Sequence, residues 1–234
     1  MNFISRVQGV FFNPRIVFEH LSEKPVWVDV LILILIAVMA FTYLTAPFQQ
    51  QDQAKIMENN TRLRERLGES RFEEMMEDLR TPNPARRLIG TGMAPVLLTV
   101  GFMISSLFLM IFGRMFSSQG RFVDILAAVV HANLIDKLLG NALRLILILS
   151  RKSFMQTSTG LAMFFPKLEA TSTAYIILTQ IDFFQLWMFA VLGIGLARIF
   201  KIEPGKAMAL SYGFWLLKTA LTVGITLVGM SFMG

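Results

Sequence analysis

The chain has no cysteine, and its only histidines are His20 and His131. Without thiols there is no disulfide, no thiol nucleophile and no thiolate metal site. Two histidines this far apart make a poor metal centre. Charge is scarce as well. Asp, Glu, Lys and Arg are 16% of the residues, against roughly 25% in a soluble domain. No run of five or more basic residues occurs, so a nucleic-acid partner is not expected. No HExxH, no GxSxG and no paired intramembrane Asp motif is present. Gly205-Lys206 lacks the upstream Gly and the following Ser/Thr of a phosphate loop. These absences leave catalysis with no constellation to stand on, so no enzyme, cofactor or metal is expected. A cleaved signal is not expected either, because Met1–Lys24 is amphipathic, carries Glu19 and Glu23 and has no small-residue cleavage site.

What the chain has instead is apolar length. The hydrophobic fraction is 54% and the mean hydropathy +0.58, values a soluble domain of this size rarely reaches. A bilayer core of about 30 Å needs about 20 helical residues to cross it. Lipid offers no partners to the backbone, so helices are the available solution. Five spans are expected: about Trp27–Ala46, Thr91–Phe116, Phe122–Leu149, Ile176–Phe200 and Ala207–Met230. The predicted class is all-α, a polytopic membrane protein with five transmembrane helices and an extracytoplasmic helical loop.

Residues 1–26 form a separate cytoplasmic segment in this reading, ahead of a membrane domain over 27–234. Phe3, Val7, Val10, Phe11, Val17, Phe18 and Leu21 fall near helical spacing, broken at Asn13-Pro14. Such a segment is expected to lie in the interface. Pro47 opens a polar stretch, residues 47–90, with eight basic and eight acidic residues. Ile56, Leu63, Leu67, Phe72, Met76 and Leu79 recur there at helical spacing, which predicts one or two amphipathic helices outside the membrane. Thr81-Pro82-Asn83-Pro84 is the expected stop. An exposed apolar stripe is an interaction site, so those six residues are candidate partner-binding positions. The alternative is that the stripe folds onto the bilayer or onto the protein's own outer face.

Orientation follows from the short loops. The N-terminal side holds Arg6, Arg15, Lys24, Arg114, Arg121, Arg198, Lys201 and Lys206, and the opposite short loop only Arg151, Lys152 and Lys167. Lys and Arg concentrate on the cytoplasmic side. The N-terminus is therefore expected in the cytoplasm and the C-terminus outside it. The net charge of +6 has the same origin.

The third expected span is the only one mixed with charge. Asn133, Lys137, Gly140, Asn141 and Arg144 share one stripe of it, and Asp136 flanks them. A charge at membrane depth costs roughly 2.5–3.5 kcal/mol, so these groups should face protein or a wet cavity. They are either a polar path or ligand cradle, or internal pairing that holds helices together. Asp182, at the start of the fourth span, is a helix cap or a partner for Lys137, Arg144 or Lys218. Lys218 lies on a stripe with Ser211, Trp215, Thr222 and Gly229, and is either functional or paired. His131 falls on the opposite side of its helix from the polar stripe.

Three stretches resemble the Yip family, the Ypt-interacting membrane protein domain. They are Phe12–Glu19 with Lys24-Pro25-Val26-Trp27, the Phe108–Val130 pair of spans with its short Gly-containing turn, and Gln180–Leu210, QIDFFQLWMFAVLGIGLARIFKIEPGKAMAL. The last is similar to the family's Asp-x-Phe, Trp and Leu-Gly-x-Gly-Leu pattern before a Lys-Ala turn. The resemblance implies five helices with the same orientation. Eukaryotic relatives bind small GTPases and one another in vesicle traffic and carry a longer cytoplasmic region. The short N-terminal segment here suggests a bacterial member in the inner membrane. Some bacterial relatives are associated with MacB-type ABC exporters, so an exporter permease or its adaptor becomes an expected partner class. The bilayer and a second copy of the chain are further candidate partners. The expected function is that of a non-enzymatic accessory or scaffold protein. A small transporter, channel or lipid-handling protein using the polar cluster is the alternative.

Overall fold

The computed structural model describes residues 1–58, 60–81, 83–154, 159–169 and 172–233. Pro82 of the expected stop and the C-terminal Gly234 lie outside them. The described residues are helical, apart from turns and one isolated bridge between Gly160 and Asp182.

Among the described residues, four helices are long and apolar enough to cross a membrane. They are α3 (Val28–Glu58), α6 (Pro84–Gly113), α10 (Phe183–Phe200) and α11 (Pro204–Met233). The stretch expected as a single third span is broken. It consists of α7 (Phe122–Ala132), a π-helical segment (Leu134–Gly140) and α8 (Asn141–Arg151). The fourth expected span is shortened at its start. Thr173–Gln180 forms a separate helix, α9, and α10 begins only after Asp182, whose carboxylate caps it by accepting from the amides of Phe184 (2.8 Å) and Gln185 (3.1 Å). The other described helices are α1 (Phe3–Phe12), α2 (Pro14–Glu23), α4 (Thr61–Leu67), α5 (Glu69–Arg80) and a 3-10 turn (Leu161–Phe164).

The core is built around α7 and α10, which are buried on most of their surface. The N-terminal segment packs into this core. Val10, Val17, Phe18 and Leu21 are fully buried. Phe11 meets Trp187 edge to face at 6.1 Å, Phe18 packs on Gly195, and Glu19 comes to 4.0 Å of Arg198. Trp187 and Arg198 are eleven residues apart on α10, about 16 Å along its axis. The α1–α2 pair therefore tracks more than half the length of a membrane-crossing helix. Gly195 is what lets it approach, since a Cβ there would stand 2.9 Å from the Phe18 ring. The buried Arg6, 4% exposed, pairs with Asp29 at the start of α3.

Pro47 does not end the first long helix. A proline inside a helix removes one N–H and leaves the carbonyl four residues earlier without its donor. That carbonyl belongs to Tyr43, and the Arg87 guanidinium covers it through Nε (3.0 Å) and Nη2 (2.6 Å) while stacking on the Tyr43 ring at 3.7 Å. The helix therefore continues as one piece to Glu58. Beyond the apolar part, Ala54, Phe72 and Met76 bury one another, with Met57, Leu67, Met75 and Leu79 packed around them.

Candidate functional site

Five of the polar residues expected at membrane depth meet in one cluster where the broken third span faces the start of α10. Asp136, 3% exposed, accepts from Lys137 Nζ (2.7 Å) through Oδ2 and from Arg144 Nη2 (2.8 Å) through Oδ1. The same Arg144 Nη2 reaches Asp182 Oδ1 at 3.0 Å. Its Nη1 donates to Asn141 Oδ1 (3.0 Å) and its Nε to Thr159 Oγ1 (2.9 Å), while Thr159 Oγ1 donates to Asp182 Oδ2. Two carboxylates face two cations, so the cluster is neutral. Every nitrogen of the Arg144 guanidinium has a partner.

Local backbone makes this convergence possible. The π-helical segment carries an extra residue per turn, which re-aims side chains relative to a regular α-helix. It brings Asp136 over Arg144, eight residues later. Gly140 gives Arg144 its route, because a Cβ there would sit 3.1 Å from both Nη1 and the Phe184 ring. Phe184 lies under the guanidinium at 5.8 Å. The same Asp182 carboxylate both caps α10 and binds Arg144, so helix start and ion pair are one structure. Chemically the arrangement is a clamp. Its donors and acceptors are spent on one another, with no nucleophile held beside a base.

Asn133 and Lys218 are not members of the cluster. Asn133 turns back on its own helix, donating to the Val129 carbonyl at 2.8 Å. Lys218 lies over the Phe189 ring at 5.9 Å and has no ion pair among the described residues. Of the candidate partner-binding stripe, Phe72 (2% exposed) and Met76 (4%) are buried against Ala54 of α3, and Leu67 and Leu79 pack on them. Ile56 is exposed and Leu63 half-buried. The stripe thus closes largely on the protein's own α3, because the uninterrupted helix supplies an apolar surface next to it.

Some contacts carried no periodic signal in the sequence. Thr159 enters the cluster from a loop. Asp52 accepts from Ser153 Oγ (2.9 Å) and the Phe154 amide (2.7 Å), tying the far end of α3 to the segment after α8. His131 is fully buried, its Nδ1 bonded to the Ala127 carbonyl at 2.8 Å. Among the described residues no group of His, Asp and Glu could hold a metal ion.

A search of the curated proteins and one of the solved structures found no match to the chain. The family model described as the Yip1 domain matches residues 9–226. That match covers α2 to α10 and most of α11, and with them the whole charge cluster and the Phe18–Gly195 contact. On that match the chain belongs to the Yip1 family of membrane proteins.

Proposed function

We propose that the chain is a non-enzymatic scaffold that binds other membrane proteins, with an ABC exporter of the MacB type as one partner class. The observation that carries this reading is the neutral, self-paired cluster of Asp136, Lys137, Arg144 and Asp182. A transport path needs polar groups free to exchange partners, whereas this cluster uses its charges to join a broken helix to α10. The same reading gives the chain five spans, counting the composite α7–α8 stretch, with the α4–α5 unit outside and the N-terminus in the cytoplasm of a bacterial cell. The charge excess of the short loops supports that orientation. The α4–α5 unit, with its stripe turned inward, offers its charged outer faces to a partner, beside the exposed Ile56 at the end of α3.

Affinity capture of the full chain in mild detergent tests the proposal. A stoichiometric membrane-protein partner is expected, and its yield should drop when Ile56 and exposed residues of α5 are changed to Ser. Recovery of the chain alone, under conditions that preserve other membrane complexes, would count against the scaffold reading.

A further inference from the structure

The α4–α5 side of the molecule carries an amphipathic cleft, and we propose that it binds one phospholipid with an anionic headgroup. The cleft lies between α3 and α6, has a volume of about 920 Å³ and includes Tyr43, Leu88, Gly90 and Thr91 in its lining. That size is ordinary for a small-molecule site. Its position is set by the two helices. The apolar run of α3 ends at Ala46, that of α6 begins at Leu88, and the Arg87–Tyr43 contact pins these ends to one level. A tyrosine and an arginine at the end of apolar runs mark the headgroup region.

The lining changes character across that level. On the polar side it holds Lys55, Arg80, Arg86, Arg87 and Glu58. Arg80 pairs with Glu58 at 2.7 Å and Arg86 with Asp78, just outside the lining, at 2.6 Å. Both pairs are exposed, and exposed pairs are worth little, so four cations against two acids leave a net positive charge at the cleft that a phosphate can share. On the apolar side, Leu88, Gly90 and Thr91 border it, and Leu88 is 63% exposed. Cations above an apolar trough fit a phosphate with its acyl chains below, and do not fit a fully polar solute.

Thr91 points to the same occupant. It lines the cleft and is 7% exposed, and its hydroxyl has no partner among the described residues. Other hydroxyls in the long helices, those of Thr45, Thr99, Ser106 and Thr222, donate to the carbonyl four residues back, the usual arrangement for a helical Ser or Thr. Thr91 does not. It is four residues, about 6 Å, below Arg87 along the helix. The ester carbonyls of a glycerophospholipid lie a similar step below its phosphate, so a hydroxyl at that depth can donate to one of them. The space beside Gly90 is open, since a Cβ there meets nothing within 4 Å.

The test uses the full chain in dodecyl maltoside, titrated with dioleoylphosphatidylglycerol or dioleoylphosphatidylcholine, with bound lipid counted by native mass spectrometry. The anionic lipid should be retained preferentially. Arg86→Gln, at an exposed side chain, should lower its retention about fivefold, the value of one basic contact at an anionic surface, and leave the zwitterionic lipid unchanged. Gly90→Leu fills the trough, favours helix, and should lower retention of both. Glycerol 3-phosphate should not displace the lipid. Equal retention of the two lipids overturns the proposal. So does wild-type retention in both variants, or displacement by glycerol 3-phosphate, which would indicate a soluble phosphate ligand. Capture of a protein partner plays no part in this readout, so the scaffold proposal and the lipid site fail separately.

Discussion

Asp182 does two jobs with one carboxylate, and substitutions can separate them. Asn at this position still accepts from the Phe184 and Gln185 amides, because asparagine caps helices about as well as aspartate. It leaves Arg144 with only Asp136 and Lys137 competing for the same charge. Leu removes both the cap and the charge. Removing one member of a buried ion pair costs roughly 3–5 kcal/mol, and losing a cap about 1 kcal/mol more. Thermal melting in detergent should therefore rank wild type above Asp182→Asn, and Asp182→Asn above Asp182→Leu. A Leu variant that melts with wild type would show that the pairing contributes nothing to stability. At this scale much was legible from helical spacing alone. The stripe containing Lys137, Asn141 and Arg144, flanked by Asp136, falls out of the 3.6-residue period, and Arg144 was one of three partners open to Asp182. Thr159 was not legible, because a loop residue has no period to place it. Neither was the inward turn of Asn133, since a side chain that bonds its own helix looks, in sequence, like one that reaches across.

Helices behave less simply than apolar runs suggest. Pro47 looks like a stop, and the residue that cancels it, Arg87, is forty positions away. The pair makes a prediction. In Pro47→Ala the new N–H covers the Tyr43 carbonyl, so Arg87→Ala should cost less in that background than in the wild type. The Tyr43 carbonyl is exposed, so the coupling in a double-mutant cycle of melting temperatures should be that of an ordinary hydrogen bond, about 0.5–1.5 kcal/mol. Strict additivity would show that Arg87 does not repair the helix. The third span illustrates the same limit. Its apolar length predicts one crossing helix, but the π-helical segment has no signature in spacing and exists because Asp136 and Arg144 are held together across it. The N-terminal segment was legible as amphipathic helix with a break at Asn13-Pro14. Its docking on α10 was not, because an apolar stripe satisfied by lipid and one satisfied by Gly195 and Trp187 have the same period.

For the molecule as a whole, class and family were the most legible features. Long uncharged runs dictate a helical membrane protein whatever the details, and the ordered stretches around Pro14, Gly120 and Gly193 carry the family. The number of crossings is harder, since it depends on whether the composite α7–α8 stretch spans. A reporter fused to the C-terminus should be active outside the cytoplasm, and one inserted in the Ser117–Gly120 turn inside. Both reporters active on one side would leave the composite stretch as a non-crossing element and reverse part of the orientation.

The neutral clamp also bears on how the protein is made. Ribosomes release the chain from its N-terminus, so Asp136, Lys137 and Arg144 are complete when Asp182 is still thirty-eight residues short of Arg144. Until then the cluster holds two cations, Lys137 and Arg144, against the one anion Asp136, and each charge resists entry into lipid by roughly 2.5–3.5 kcal/mol. That stretch should therefore wait beside the insertion machinery and enter the bilayer together with α10. Nascent chains stopped after Leu149 should leave it accessible to a water-soluble alkylating probe at an engineered cysteine. Chains extended past Phe200 should protect it, and Asp182→Leu should abolish that protection.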